Sequence, residues 1–268
     1  MEKIGLLAGT GRLPVECAKA ARTMGYEVYA VALLPQTDPE LKECTADCAD
    51  ISIAQLGDVL AYLKEKGVQK VTMLGKVTKE MLFNGQHAQP DARMMQLIMS
   101  LPDRKDDTLM LAFVRELAKE GLQAFDQTAL IRMLMPSRGT VTKREPTEQE
   151  RKDMEFGIQM AREIGRLDVG QTAVVKSMAV MALEAIEGTD ACIRRGGKLA
   201  CGGAVVAKVA KPNQDLRFDV PAVGLDTVRS MVDAGAKALA IEAGRTLLVE
   251  KEKVVALADA NDITIVAM

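Results

Sequence analysis

At 268 residues the chain exceeds the usual size of one domain, and its 48% hydrophobic and 27% charged residues give the balance of a folded protein, which excludes a disordered chain. Lys and Arg number 35 against 37 Asp and Glu, so the net charge of −2 exerts no long-range pull toward nucleic acid and any phosphate binding has to be local. Five cysteines without a secretory pattern fit reduced thiols and a cytoplasmic setting. The single histidine, His87 in NGQHAQPD, rules out a multi-histidine metal centre and leaves a Ser-His-Asp or Cys-His mechanism without a nucleophile motif. Oxygen ligands and a hard cation such as magnesium remain for any metal. Cys44 and Cys48 in CTADC lack zinc-ligand spacing and read as small buried hydrophobes. No apolar run approaches the roughly 18 residues of a bilayer span, although contact with a membrane surface stays open.

In chain order, KIGLLA reads as a strand, GTGRLP as a turn, VECAKAARTMGY as a helix and EVYAVALL as a second strand. Helix-like LGDVLAYLKEKG and strand-like KVTMLGKV follow, then DARMMQLIMSL and DDTLMLAFVRELAKEG as two more helices. Such alternation predicts a parallel sheet. Residues 136–150 turn polar, with prolines and a glycine, and are expected to link a Rossmann-like N-terminal domain, 1–135, to a distinct C-terminal α/β domain, 151–268. Thr147, followed by Glu148 and Glu150, is expected to cap the next helix. In the second half QTAVVK, AVMALEAI, GAVVAKVA, AKALAIEAG, TLLVE and ITIVAM read as strands, and GTDACIRRGG, GLDTVRSMVDAG and KVVALADAND as helices.

GTGRLP occupies the place of a dinucleotide fingerprint, where Gly9, Thr10 and Gly11 would let backbone amides approach a phosphate. Pro14 replaces the third glycine, and the second strand ends in VALLPQ without the acid that would hold a ribose hydroxyl, which disfavours an NAD-type oxidoreductase. Gly75 and Lys76 stand at the end of strand-like TMLG, where open α/β sheets bind ligands. Asp106 and Asp107 read as helix-capping acids, and most of the 16 methionines as core.

The most unusual stretch is KPNQDLRFDVP, Lys211 to Pro221. If it is extended, Asp215, Arg217 and Asp219 share one face and Leu216, Phe218 and Val220 the other. The two carboxylates would then stand roughly 13 Å apart, too far for one metal ion to take both directly. Either the segment bends, or one aspartate binds metal with help from Glu184, Glu187, Asp190, Asp226 or Glu242. The plain alternative is a surface strand with an ion-paired arginine. A phosphate ester or anhydride accounts for the mixture, because Lys211 and Arg217 suit anionic oxygens while a carboxylate-bound magnesium can activate water. Asp219 or Asp215 can equally serve as general base.

QTAVVKSMAVMALEAIEGTDACIRRGG, KPNQDLRFDVPAVGLDTV and AIEAGRTLLVE, together with AGTGRLP and GKV, resemble the LpxI-type UDP-2,3-diacylglucosamine pyrophosphatase family of lipid A assembly. The resemblance implies a magnesium-dependent hydrolase that converts UDP-2,3-diacylglucosamine to UMP and lipid X in a cleft between two domains. It implies a homodimer, a cytoplasmic protein that can touch the inner membrane, and a product that can co-purify. Carried onto this sequence, it favours Asp219 and then Asp215 as the essential, metal-binding acid beside Arg217. Gly9, Thr10, Gly11, Lys76, Lys176, Thr189, Asp190, Lys211 and Gln214 are the expected substrate contacts. A Rossmann-like module that binds a nucleotide-linked ligand without cleaving it is the alternative.

Overall fold

The computed structural model describes residues 1–77, 89–103, 106–212 and 220–268, without the side chains at 106 and 107. His87, the Asp106 and Asp107 side chains, and the stretch holding Gln214, Asp215, Arg217 and Asp219 lie outside the described residues. One compact unit holds Met1–Ile131 and a second begins at Arg132.

The first unit runs β1 (Glu2–Ala8), α1 (Leu13–Thr23), β2 (Tyr26–Ala32), β3 (Asp47–Asp50), α2 (Leu56–Glu65), β4 (Lys70–Leu74), α3 (Ala92–Met99), α4 (Asp106–Lys119), β5 (Gln123–Ala124) and α5 (Thr128–Ile131). Its strands lie in the order β3-β2-β1-β4-β5, and every pair is parallel. The chain builds outward through β2 and β3, then returns to the other side of β1 for β4. The strand order therefore reverses between β1 and β4, the point at which open α/β sheets present a ligand crevice at their carboxyl ends. Leu7 and Val31 pack into one core with Leu56, Leu60 and Leu63 of α2 and Met94 of α3. A strand covered on both faces reads as an unbroken apolar run, as KIGLLA does. Strand β3, by contrast, is a polar edge strand, DCAD, which hydrophobic periodicity misses.

The second unit runs β6 (Gly139–Thr140), α6 (Glu148–Arg166), β7 (Thr172–Lys176), β8 (Ala179–Leu183), α7 (Thr189–Ala200), β9 (Val205–Lys208), β10 (Ala222–Val223), α8 (Leu225–Asp233), β11 (Ala238–Ile241), β12 (Leu247–Leu248), α9 (Lys251–Ala260) and β13 (Thr264–Ala267). Its main sheet has the order β6-β13-β11-β9-β7-β8. Strands β9, β11 and β13 are parallel, whereas β7 runs against β9, β8 against β7 and β6 against β13, so this sheet is mixed. Side chains alternate as period 2 requires. Val206, Leu239, Ile241 and Ile265 join Cys192, Ile193, Val228 and Met231 of α7 and α8. Val205, Ala207, Ala238, Ala240 and Val266 face Met154, Ile158 and Ala161 of α6.

Residues 136–150 are built into this second unit. Strand β6 joins its sheet, and Arg144 reaches Glu150 at 2.8 and 2.9 Å and the Asp262 carbonyl at 3.1 Å. The polar composition there serves hydrogen bonds between elements and not an extended tether. Thr147 and Glu150 form a reciprocal capping box at the start of α6, each side chain bonding the other residue's amide.

Helix α7 approaches its neighbours closely because it carries two adjacent glycines. A Cβ at Gly196 would stand 2.5 Å from the Val174 Cβ, and one at Gly197 would stand 2.4 Å from the Ala234 Cβ. Gly196→Ala is therefore expected to overpack the α7–β7 contact and to cost roughly 1–3 kcal/mol, read as a lower urea midpoint. Lys198→Ala, on the exposed side of the same helix, is expected to stay within about 0.5 kcal/mol of the parent. Equal midpoints for the two variants would contradict this packing.

Candidate functional site

In the first unit the glycine turn is tied to the end of β4 by backbone alone. Gly9 N–H donates to Leu74 O at 2.8 Å, Thr10 N–H to Lys76 O at 3.0 Å, and Lys76 N–H to Thr10 O at 3.0 Å. A Cβ at Gly9 would lie 2.6 Å from Lys76 O, and one at Gly75 would lie 2.8 Å from Thr10 O, so both positions require glycine. Gly11 has φ of 93° and open space where a Cβ would be. Gly9, Thr10, Gly11 and Lys76 thus meet at the β1–β4 reversal, and Lys76 is exposed there and makes no ion pair among the described residues. Arg12, at the start of α1, is committed elsewhere. It pairs with Glu40, with Asp38 at 3.1 Å and with Glu16 at 3.3 Å. Hydrogen bonds from Arg12 and then Lys19 hold the Glu40 carboxyl down at about 2.

In the second unit, charged side chains gather where the parallel strands end. Lys208 closes β9, is only 7% exposed, and donates to the Ala222 carbonyl at 2.9 Å. Glu242 follows β11 and is 5% exposed. Its carboxylate accepts Arg162 Nη2 at 2.8 Å and the Ala210 amide at 2.8 Å. Glu184, 7% exposed, accepts Thr189 Oγ1 at 3.1 Å, while Thr189 Oγ1 lies 3.3 Å from Thr172 Oγ1. Thr172 is the sheet partner of Lys208, which links the two groups. Asp190, in the first turn of α7, keeps a buried Oδ1 with no hydrogen-bond partner among the described residues. These groups flank the two described ends of the 213–219 segment. On one side stand Ala210, Lys211 and Pro212; on the other, Val220, Pro221 and Ala222.

Of the expected contacts, Thr189 and Asp190 stand together with Glu184. Lys211 pairs with Asp168 at 2.7 Å and lies beside Gly165 at the end of α6. Lys176 emerges at the opposite edge of the sheet, because β7 is antiparallel to β9, and donates to the Ala200 and Gly202 carbonyls at 2.7 and 2.8 Å. Glu187 pairs with Arg195, and Asp226 with Arg229 at 3.0 Å. Sequence reasoning overlooked Lys208 and Arg162. The lone lysine inside apolar GAVVAKVA was the available signal, since a charge in a buried strand needs a dedicated partner. Asp153 was also missed: 3% exposed in α6, it accepts the Ser177 and Met178 amides at 2.8 and 2.7 Å, supporting a β7–β8 turn whose two residues have φ of 51° and 64°.

A Rossmann-type parallel unit with a glycine turn at its strand reversal, followed by a mixed-sheet unit with buried charge at its parallel-strand ends, defines a two-unit α/β protein. Family models cover both units: the LpxI N-terminal domain matches residues 3–134 and the LpxI C-terminal domain matches residues 137–266. The chain belongs to the LpxI family. A relative in Caulobacter vibrioides, UDP-2,3-diacylglucosamine pyrophosphatase LpxI, is 35% identical over 270 residues, spanning 97% of this chain and 95% of its own. Two solved structures also align weakly. They are a UDP-glucose-4-epimerase from Stenotrophomonas maltophila (TM-score 0.30, 12% identity, 46% of this chain and 35% of that one) and a phosphoribosylglycinamide synthetase from Anaerococcus prevotii (0.28, 11%, 69% and 39%). At those scores neither carries an argument.

The Glu40 ion pairs set a testable pH dependence. A carboxyl held near 2 when folded, against 4.5 when free, contributes stability that is present above 4.5 and is lost as pH falls through about 2. Glu40→Gln is therefore expected to be less stable than the parent at pH 7, with the gap closing as pH drops from 4.5 toward 2. Urea midpoints across that range provide the check, and a gap independent of pH would contradict the pairing.

Proposed function

We propose that this chain hydrolyses the pyrophosphate bond of UDP-2,3-diacylglucosamine, releasing UMP and 2,3-diacylglucosamine 1-phosphate, lipid X. The observation that carries the reading is the near end-to-end match, 35% identical over 97% of the chain, to a pyrophosphatase of that name. One water adds across the phosphorus–oxygen–phosphorus bridge, so each product leaves with one phosphate. In this reading residues 1–135 form the Rossmann-like domain and 151–268 the catalytic domain. Asp219 and Asp215 are the metal-binding and basic carboxylates. Arg217, Lys211 and Gln214 hold anionic and polar oxygens, and Thr189 and Asp190 add further substrate contacts. The amides of Gly9, Thr10 and Gly11, with Lys76, receive a phosphate group.

Among the described residues no three His, Cys, Asp or Glu side chains stand close enough to hold a metal ion. Asp190 Oδ1, which has no hydrogen-bond partner among the described residues, is nevertheless a hard oxygen donor of the type magnesium takes, and it supports a site completed by Asp219 or Asp215. Bound magnesium would neutralise pyrophosphate charge and lower the pKa of a coordinated water. No helix among the described residues is long and apolar enough to cross a membrane. A homodimer that reaches its lipid substrate by contact with the inner membrane, from the cytoplasm, belongs to the same proposal.

Incubation of the purified protein with UDP-2,3-diacylglucosamine and magnesium is expected to release UMP, and chelation of the metal to stop that release. Asp219→Ala or Asp215→Ala is expected to lower kcat by about a hundredfold or more with the unfolding midpoint retained. Intact substrate recovered after long incubation with a folded sample would overturn the hydrolase in favour of a binding protein.

A further inference from the structure

Strand β8 is an edge of the second unit's main sheet, paired among the described residues with β7 alone. Proteins usually blunt such an edge with lysine, proline or an inward charge, because its unpaired backbone groups recruit another strand. This edge carries none of them, since Ser177 to Leu183 reads SMAVMAL. Its one irregularity, a bulge at the Val174/Val175 step, twists the strand without charging it. Exposed apolar side chains run along the same edge. Met178 and Val180 lie on the hairpin, and Ile186, just beyond β8, is fully exposed. Asp153 holds the left-handed turn that presents Met178. Exposed Leu199 flanks the hairpin, because α7 packs on β8 and Lys176 ties the end of α7 to the turn. Exposed Val169 stands at the open end, next to a Gly170 whose Cβ would lie 2.2 Å from Glu184 O.

We propose that two copies of this chain dimerise through β8, each edge pairing antiparallel with its counterpart about a twofold axis; this gives the homodimer of the proposed function its interface. The strand is complementary to itself. A twofold axis demands the same patch on both copies, and an antiparallel strand pair satisfies that condition with backbone bonds. Centred on Met181, the pairing brings Ile186 of one copy to the hairpin turn of the other, where Met178 stands. The exposed apolar side chains at the two ends of the strand thereby cover each other. A five-residue ladder, about 17 Å long, is too small alone for a stable contact, which buries roughly 800 Å² per partner. Leu199 and Val169 widen it. An anionic lipid surface suits the edge less well. Of the cations on the outer face of α7, Arg195 is paired with Glu187 and Arg194 with Asp233 at 4.0 Å, which leaves only Lys198 without an ion pair among the described residues.

Light scattering of the full chain over a range of concentrations tests this, with the parent expected at twice the mass of one chain. Ile186→Glu alters a side chain that nothing covers in the single chain, so it is expected to keep the fold and to weaken the dimer at least about tenfold. Val180→Lys, which adds the charge that blunts natural edges, is expected to do the same. Hydrogen exchange locates the contact: the β8 amides that face away from β7 are expected to be protected in the parent and to exchange faster in both variants. A monomeric parent, a dimer that both variants leave intact, or β8 amides that exchange alike in all three proteins would each overturn the interface. Variants that keep the parent's mass but no longer sediment with phosphatidylglycerol vesicles would overturn it in favour of a lipid surface. The two readings fail separately. UMP release by a monomer refutes the interface alone, and a β8 dimer that leaves UDP-2,3-diacylglucosamine intact refutes the hydrolase alone.

Discussion

Buried charge at the ends of β9 and β11 is the constraint on which the second unit depends. Lys208, Glu242 and Glu184 are each no more than 7% exposed, and a charge so placed is tolerable only when it is paired or hydrogen-bonded. Each partner set fixes backbone. Lys208 grips the Ala222 carbonyl, Glu242 grips the Ala210 amide, and Glu184 grips Thr189 at the start of α7. The chain therefore enters and leaves the 213–219 segment at positions held by charge-assisted bonds, which are roughly twice as strong as neutral ones. Under the proposed chemistry, such a frame is what Asp215, Arg217 and Asp219 need, because a small misplacement of reacting groups costs rate steeply.

The first unit solves a different problem with backbone. Two glycines, Gly9 and Gly75, let the turn after β1 and the turn after β4 approach until any Cβ would collide, and the approach leaves Gly11 and Lys76 facing open space. The arginine that begins α1 is bound up with carboxylates. Under the proposed function, anion binding at this turn falls to amides and one lysine.

Much of this architecture was legible in the sequence because burial on both sheet faces writes itself as apolar runs, KIGLLA, GAVVAKVA and ITIVAM among them. The capping box at Thr147 was equally plain, since its chemistry lies within four residues. What escaped were β3, β5, β6 and β10, which are short or polar and owe their pairing to neighbours distant in the chain. Composition alone likewise made 136–150 a linker, whereas Arg144 finds Glu150, Lys237 and Asp262 only in the fold. Lys176 was grouped with site residues by its sequence neighbourhood, and only strand direction reveals that it caps the far end of α7. Lys208 was visible as a misfit and went unread.

Under the proposed function Lys208 and Glu242 hold the two ends of the segment assigned the chemistry, so the most direct measurement is the turnover of Lys208→Met. Methionine nearly conserves the volume and removes the ammonium that grips Ala222. The account predicts a folded protein whose kcat for UDP-2,3-diacylglucosamine falls more than about tenfold, at least ~1.4 kcal/mol in the barrier, with KM changed far less. A folded Lys208→Met protein that turns over at the parent rate would contradict it.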